Sequence, residues 1–438
     1  MIGDDLFACG AAGTLDLVLD IVSLLVDRKI SASYFEEVVD GVGGTIQDLA
    51  STIIRHFSRT VPHPELKITA KFVVVCFGFL HSGCAGSPQL RRALCSMDFF
   101  TPLINTLTAL HGTTALEAPW MRLNHLVGML EGSAEIASAL KSGLLRLTVA
   151  IAASIAPIDR NEANKTSLLI IQLLQRLLPQ SLVHYTVLVQ LKKCFPSCLA
   201  FAIASKIEVS AFSKDWRDFS TLAQKRLQFL DSWEARTIIS LKACDNTECG
   251  KIDVRRKFMC CSRCRSVGYC SEGCQSVHWN AAHRKQCHGL RSTWLTAETL
   301  SAGSKSFWRA LLNADYRRLM IDIYYRQVLF MHEHPGEAFL TMLSYMSVRG
   351  AKFDVLPPSA LKRVTWGAQM YQGFSEAVLQ APCSTRRIEQ HLVIQYDGHT
   401  LRQLLVPMHL ATSELPDQLL SIAKLLPPGT TEEDAVEG

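Results

Sequence analysis

Eight of the fifteen cysteines in this 438-residue chain fall between Cys244 and Cys287, with His278 and His283 among them and His288 just beyond. The 44 residues from Cys244 to Cys287 carry too little apolar bulk to fold alone, so metal or disulfides must supply the missing stability. Clustering on this scale points to metal. Four short pairs stand out: Cys244-x4-Cys249, Cys261-x2-Cys264, Cys270-x3-Cys274 and His283-x3-Cys287. Each is close enough for both members to face one ion, and eight ligands imply two Zn²⁺. Thiolate and imidazole ligands in fours close a tetrahedral site, and each structural zinc can supply roughly 10–16 kcal/mol towards folding. With every position filled, neither ion keeps a reactive water, which disfavours hydrolytic zinc chemistry.

Cys260 competes with Cys261 for a place in this set. Cys261-Ser262-Arg263-Cys264 preserves the two-residue knuckle that wraps backbone amides around sulfur, so Cys261 is the expected ligand and Cys260 the bystander. His278 and His288 are expected not to be ligands. The other cysteines, Cys9, Cys76, Cys84, Cys95, Cys194, Cys198 and Cys383, are scattered and read as thiols without a metal role, most of them buried.

Outside the cluster, length alone suggests roughly three domains. The chain is 48% hydrophobic and 19% charged, which provides apolar material for cores and excludes wholesale disorder. Acidic residues in MIGDDLFACG stand where a secretory signal would be basic, and the apolar run at Phe72–Leu80 is too short to span a bilayer. The expectation is a soluble, intracellular protein without a membrane partner, nucleus and cytoplasm being indistinguishable.

The expected fold class is mainly α. Residues 1–240 read as a helical domain. In LDLVLDIVSLLVD, Asp16, Asp20, Ser23 and Asp27 make one narrow polar stripe on an otherwise apolar helix. SLLIIQLLQRLL repeats the design with Gln172, Gln175 and Arg176, and Pro179 is expected to stop it. Similar stretches begin at Gly44, Met97, Gly143 and, less clearly, Cys194, at spacings of 53, 46 and 51 residues. Periods near ~40–47 suit a helical-repeat (armadillo/HEAT-like) solenoid, and these run somewhat long; the solenoid is the favoured expectation, and an irregular helical domain with chance similarity is the alternative. From Lys214 to about Lys242 the pattern is again helical, leading straight into the cysteines. Residues 290–425 read as an α+β region with a long helix over Lys305–Met331 and a hairpin turned by Asp397-Gly398. The acidic tail 427–438 is expected to stay disordered.

The cysteine-rich run resembles a MYND-type zinc finger. The carrying residues are Tyr269-Cys270-Ser271, Cys274-Gln275, Trp279 and the closing His283-x3-Cys287, within a run of 44 residues that covers a tenth of the chain. Helical repeats before such a finger also resemble MYND proteins common in fungi. If the family's interleaved topology carries over, Cys244, Cys249, Cys270 and Cys274 hold one zinc, and Cys261, Cys264, His283 and Cys287 the other. Spacing alone fixes neither the order nor the partners. The sequence departs from the commonest pattern in the four residues inside its first pair and the three between Trp279 and His283.

What the resemblance implies is protein binding, since MYND fingers capture short proline-containing peptides. Gln275 and Trp279 occupy the positions that would make the contact. Residues 244–291 carry nine Lys or Arg against four Asp or Glu. Seven thiolates and two dications bring that excess of five down to about +2, which is weak for phosphate binding. Sequence-specific DNA binding is therefore not expected. The leading expectation is a non-catalytic adaptor. The alternatives are a methyltransferase-like enzyme carrying an accessory finger, and a finger that serves only as a structural clasp. The sequence offers no Asn-His-x-Cys step, phosphate loop or nucleophile elbow to support an enzyme.

Overall fold

The computed structural model describes residues 32–60, 87–111, 126–130, 132–154, 160–238, 302–357, 388–397, 400–409 and 414–427, with most of 241–287. The striped segment at 15–27, the run at 72–80, His288, the tail beyond 427, and Cys9, Cys76, Cys84 and Cys383 lie outside the described residues. The fold is mainly α, with small sheets. It divides into two compact units, the main change-over falling between Ala223 and Gln224, with Val183–Tyr185 belonging to the second.

Among the described residues, the first unit contains three helix–turn–helix pairs: α1 (Ala32–Gly41) with α2 (Ile46–Thr60), α3 (Pro88–Ser96) with α4 (Phe100–Leu110), and α5 (Ser133–Lys141) with α6 (Leu144–Ser154). Each tight turn contains a residue at positive φ: Gly44 at 81°, Asp98 at 58° and Gly143 at 103°. Five and six residues after each of these come Leu49 and Ala50, Leu103 and Ile104, and Thr148 and Val149, all buried. This shared geometry underlies the repeat seen in the sequence. Successive helix pairs also meet: Ser51 Oγ in α2 lies 3.9 Å from Met97 Sδ, Lys141 pairs with Asp98 at 3.5 Å, and Thr101 and Ser142 share a 2.9 Å hydrogen bond. A lone helix pair leaves an apolar face bare, and the next pair covers part of it. The fourth sequence repeat does not follow. Cys194 lies within the unbroken helix α9, because the similarity there is only an apolar pattern without a turn-forming residue.

Pro179 does not stop its helix either. α7 (Arg160–Ile171) widens into a π-helical segment over Gln172–Leu177 and continues as α8 (Leu178–Ser181), with Pro179 in the first turn of α8. At that position the missing N–H costs little, and the wider turn before it accommodates the ring. α9 (Tyr185–Ala204) is long and apolar enough to cross a membrane. Its buried residues Val187, Leu188, Leu191, Phe195, Cys198 and Ala202 nonetheless keep to one face, as in a core helix. α10 (Ser213–Glu234) ends earlier than the sequence pattern predicts. Arg236, at φ 57°, breaks it, and Leu241–Ala243 turn into strand.

In the second unit the long helix α12 (Ala302–Glu333) buries Phe307, Leu311, Leu319, Ile323 and Phe330. Phe307 sits among Tyr185, Phe229 and Trp233, with ring centroids 5.4–5.6 Å away. Arg226 of α10 donates to Asp315 of α12 at 2.8 Å, both side chains being 8% exposed. Arg318 approaches the same carboxylate at 3.4 Å. The sheet of this unit contains β5 (Leu340–Ser347), β6 (Gly350–Leu356), β7 (Ile388–Asp397) and β8 (Thr400–His409) in the order β6-β5-β7-β8. β5 pairs antiparallel with β6 and parallel with β7. Only two residues separate β7 from its neighbour β8, a connection that permits only an antiparallel hairpin. α13 (Leu415–Leu425) packs Leu419 and Ala423 against Val328 of α12.

Candidate metal centre

The cysteine-rich segment is held by very short elements. β1 (Leu241–Ala243) pairs with β2 (Ile252–Val254), and β3 (Met259–Cys260) pairs with β4 (Gly268–Tyr269). The two ribbons are tied together at Asp245, whose N–H donates to Gly268 O at 3.0 Å while its carboxylate accepts from Gly268 N–H. That tie brings the first ligand pair to the third. Ser271 then caps α11 (Glu272–His278), accepting from Cys274 N–H at 3.2 Å, and a π-helical segment, Trp279–His283, carries the chain to the last pair.

Two groups of four donors result. Cys244, Cys249, Cys270 and Cys274 form one; Cys261, Cys264, His283 and Cys287 form the other; within each, all donor atoms lie within 4.8 Å of one another. A tetrahedral zinc with bonds of about 2.3 Å to sulfur sets ligand–ligand edges near 3.8 Å. The contacts match that scale: Cys249–Cys270 at 3.4 Å, Cys270–Cys274 at 3.5 Å, Cys261–Cys287 at 3.9 Å and Cys264 Sγ–His283 Nε2 at 3.6 Å. Donor type and spacing both fit zinc. Cys260 is exposed and belongs to neither group. No disulfide joins any described cysteine.

The electrostatics of the thiols also favour a cation. Burial pushes Cys244 up to about 12 and Cys287, with the Cys264 charge beside it, up to about 11. Gathering four thiols makes the last ones hard to ionise, and a bound dication removes that obstacle. Cys274 is drawn the other way, to about 6, chiefly by the Ser271 hydroxyl, with Asn246 assisting against burial. Burial raises Cys261, but N–H groups of Cys264 and Arg263 on its sulfur outweigh that and hold it below the usual thiol value. This is the amide-wrapped knuckle anticipated from the spacing. His283 is kept neutral, as a ligand must be, first by burial and then by His278. Its Nδ1 is buried with no hydrogen-bond partner. With Nε2 beside Cys264, the proton belongs on Nδ1.

Tyr269, fully buried, is the centre of this small core with Phe258 and Val267, and Trp279 packs against it from the side. Its hydroxyl lies 3.0 Å from His278 Nδ1. His278 thus has a supporting place outside both donor groups. Gln275 and Trp279, four residues apart on one helical face, are both half-buried. The Trp279 ring meets His283 edge-on at 5.5 Å, and the Arg263 guanidinium stands 5.7 Å over it. Arg263 is the contributor that sequence reasoning missed. Its place inside the Cys261–Cys264 knuckle was visible, but not its nearness to a tryptophan sixteen residues on.

Residues 244–287 match the MYND finger family, and the chain carries a MYND-type zinc finger there. Ubiquitin carboxyl-terminal hydrolase 19 of Arabidopsis thaliana is 47% identical over 45 residues, 10% of this chain and 6% of that protein. An F-box protein of the same plant is 35% identical over 75 residues, 16% of this chain and 22% of the relative. Ubiquitin carboxyl-terminal hydrolase 15 is 46% identical over 41 residues, 9% of this chain and 4% of the relative. The chain thus spans under a quarter of each relative's length, and what is shared is the finger region. No solved structure matches the chain.

Proposed function

We propose that this protein is an intracellular, non-catalytic adaptor whose finger, folded around two zinc ions, captures proline-containing peptides from partner proteins. One observation carries the reading: β3 offers an outer edge beside exposed Met259 and Cys260, while the far side of β4 is taken by Asp245. A two-stranded ribbon with one edge covered can accept an extended peptide on the other. Gln275 and Trp279 then supply a polar group and an aromatic surface for its side chains. The finger's occurrence in relatives named as hydrolases and as an F-box protein supports a module that adds binding to different chains.

The packed helix pairs provide a second recognition surface in this reading, and two weak sites on one chain reinforce each other through effective concentration. The clasp alternative draws on Trp279 packing against the finger's own core. Binding of fluorescent proline-containing peptides to the full chain separates the two. Trp279→Ala, accepted only with two zincs by metal analysis, is expected to lose the peptide at least tenfold. Undiminished binding would leave the tryptophan a clasp.

A further inference from the structure

Arg263 and Trp279 come from different segments, yet both are anchored by the same donor group. Arg263 lies between ligands Cys261 and Cys264, and Trp279 opens the segment that ends at ligand His283. The guanidinium stands 5.7 Å over the indole and is exposed to solvent. Among the described residues, no carboxylate pairs with it. Asp253 is engaged with Lys257 at 3.0 Å, and Asp245 is turned inward onto Gly268. A guanidinium resting on an aromatic face keeps its N–H fork directed outward, in the geometry that grips a carboxylate.

We propose that Arg263 makes the finger selective for acidic, proline-containing peptides, which rests on the peptide-binding reading above. A strand added at β3 presents alternate side chains to the finger. A proline against Trp279 brings a nearby acidic residue to Arg263, which is the unpaired cation already at that ring. The small positive net charge of the metallated finger, about +2, does not oppose an acidic ligand. Arg263 is a specificity-determining residue in this arrangement, and the second donor group holds it in register with the tryptophan.

The test uses the zinc-loaded full chain and synthetic peptides that share one proline and carry Glu, Gln or Lys at each of four positions on either side. Binding is read by fluorescence anisotropy at low and high salt. The wild type is expected to bind the best Glu peptide about fivefold tighter than its Gln counterpart, with the gap closing in high salt. Arg263→Gln is expected to abolish the preference and Arg263→Glu to turn it towards Lys. Equal binding of Glu and Gln peptides by the wild type overturns the proposal without any variant. So does a preference that survives in Arg263→Gln. Tighter binding of all peptides by the Arg263 variants would show that the arginine only covers the ring. If no proline peptide binds the wild type, or Trp279→Ala binds as well, the peptide reading itself fails and the proposal with it.

Discussion

Replacing Asp315 with alanine strands a buried charge. Arg226 has a side chain only 8% exposed and donates to Asp315 at 2.8 Å, so Asp315→Ala leaves its guanidinium desolvated without a counter-charge. Breaking such a pair from one side costs about 3–5 kcal/mol. The second contact, from Arg318 at 3.4 Å, adds little because that side chain is 56% exposed. Against a domain stability of about 5–15 kcal/mol, the loss removes a large share. With a urea m-value of about 2 kcal/mol/M, the midpoint is expected to fall by roughly 1.5–2.5 M. Urea unfolding followed by hydrogen exchange at α12 amides reads this change in the second unit. The double replacement Arg226→Met with Asp315→Leu removes both charges and is expected to return within about 2 kcal/mol of the wild type. A loss below 1 kcal/mol for Asp315→Ala, or no recovery in the double variant, would refute the reasoning.

Three further outcomes are expected. Cys260→Ser keeps two zincs per chain by metal analysis, whereas Cys264→Ser loses one, since only the second belongs to a donor group. Gly143→Ala lowers stability by about 1–2 kcal/mol in thermal unfolding: Ile104 leaves room for the new methyl at 3.8 Å, so the cost comes from φ +103°. Cys194 is held below the usual thiol value chiefly by a hydrogen bond from Cys198, while Cys198 is raised by that same bond and by burial. Below the usual thiol pKa the thiolate fraction of Cys194 is therefore enlarged. Iodoacetamide at pH 7.5 is expected to label Cys194 ahead of Cys198 in mass spectra, and Cys198→Ala to slow that labelling.

The finger's donors were legible because spacing of two to four residues places both members of a pair on one turn. Which pair joins which was not legible, because it depends on Asp245 meeting Gly268 and Met259 meeting Tyr269 across the ribbons. The same contrast runs through the fold. The turns at Gly44, Asp98 and Gly143 announced themselves through an apolar pattern that repeats after each. Cys194 carried the pattern without the turn, and the long helix absorbed it. Strands β5 and β6 went unread because their turn at Val348-Arg349 has no Asn-Gly or Asp-Gly signal, although Gly350 at φ 97° closes it. Nothing in the sequence around Arg226 signals that a charged side chain is buried there. Only its partner 89 positions away explains its burial.

The alternation of the donor groups along the chain has a topological result. Reading from Cys244 to Cys287, the donors come in pairs, and the two pairs of each group are separated by a pair of the other. With both groups filled by zinc, a single cleavage of the backbone anywhere between these two cysteines leaves the pieces joined through at least one ion. Cuts between Cys261 and Cys274 leave them joined through both. Sites arranged one after the other along the chain would let a cut between them release a half. Here coordination bonds take over the continuity of the polypeptide, and a nicked finger stays in one piece until its metal is withdrawn.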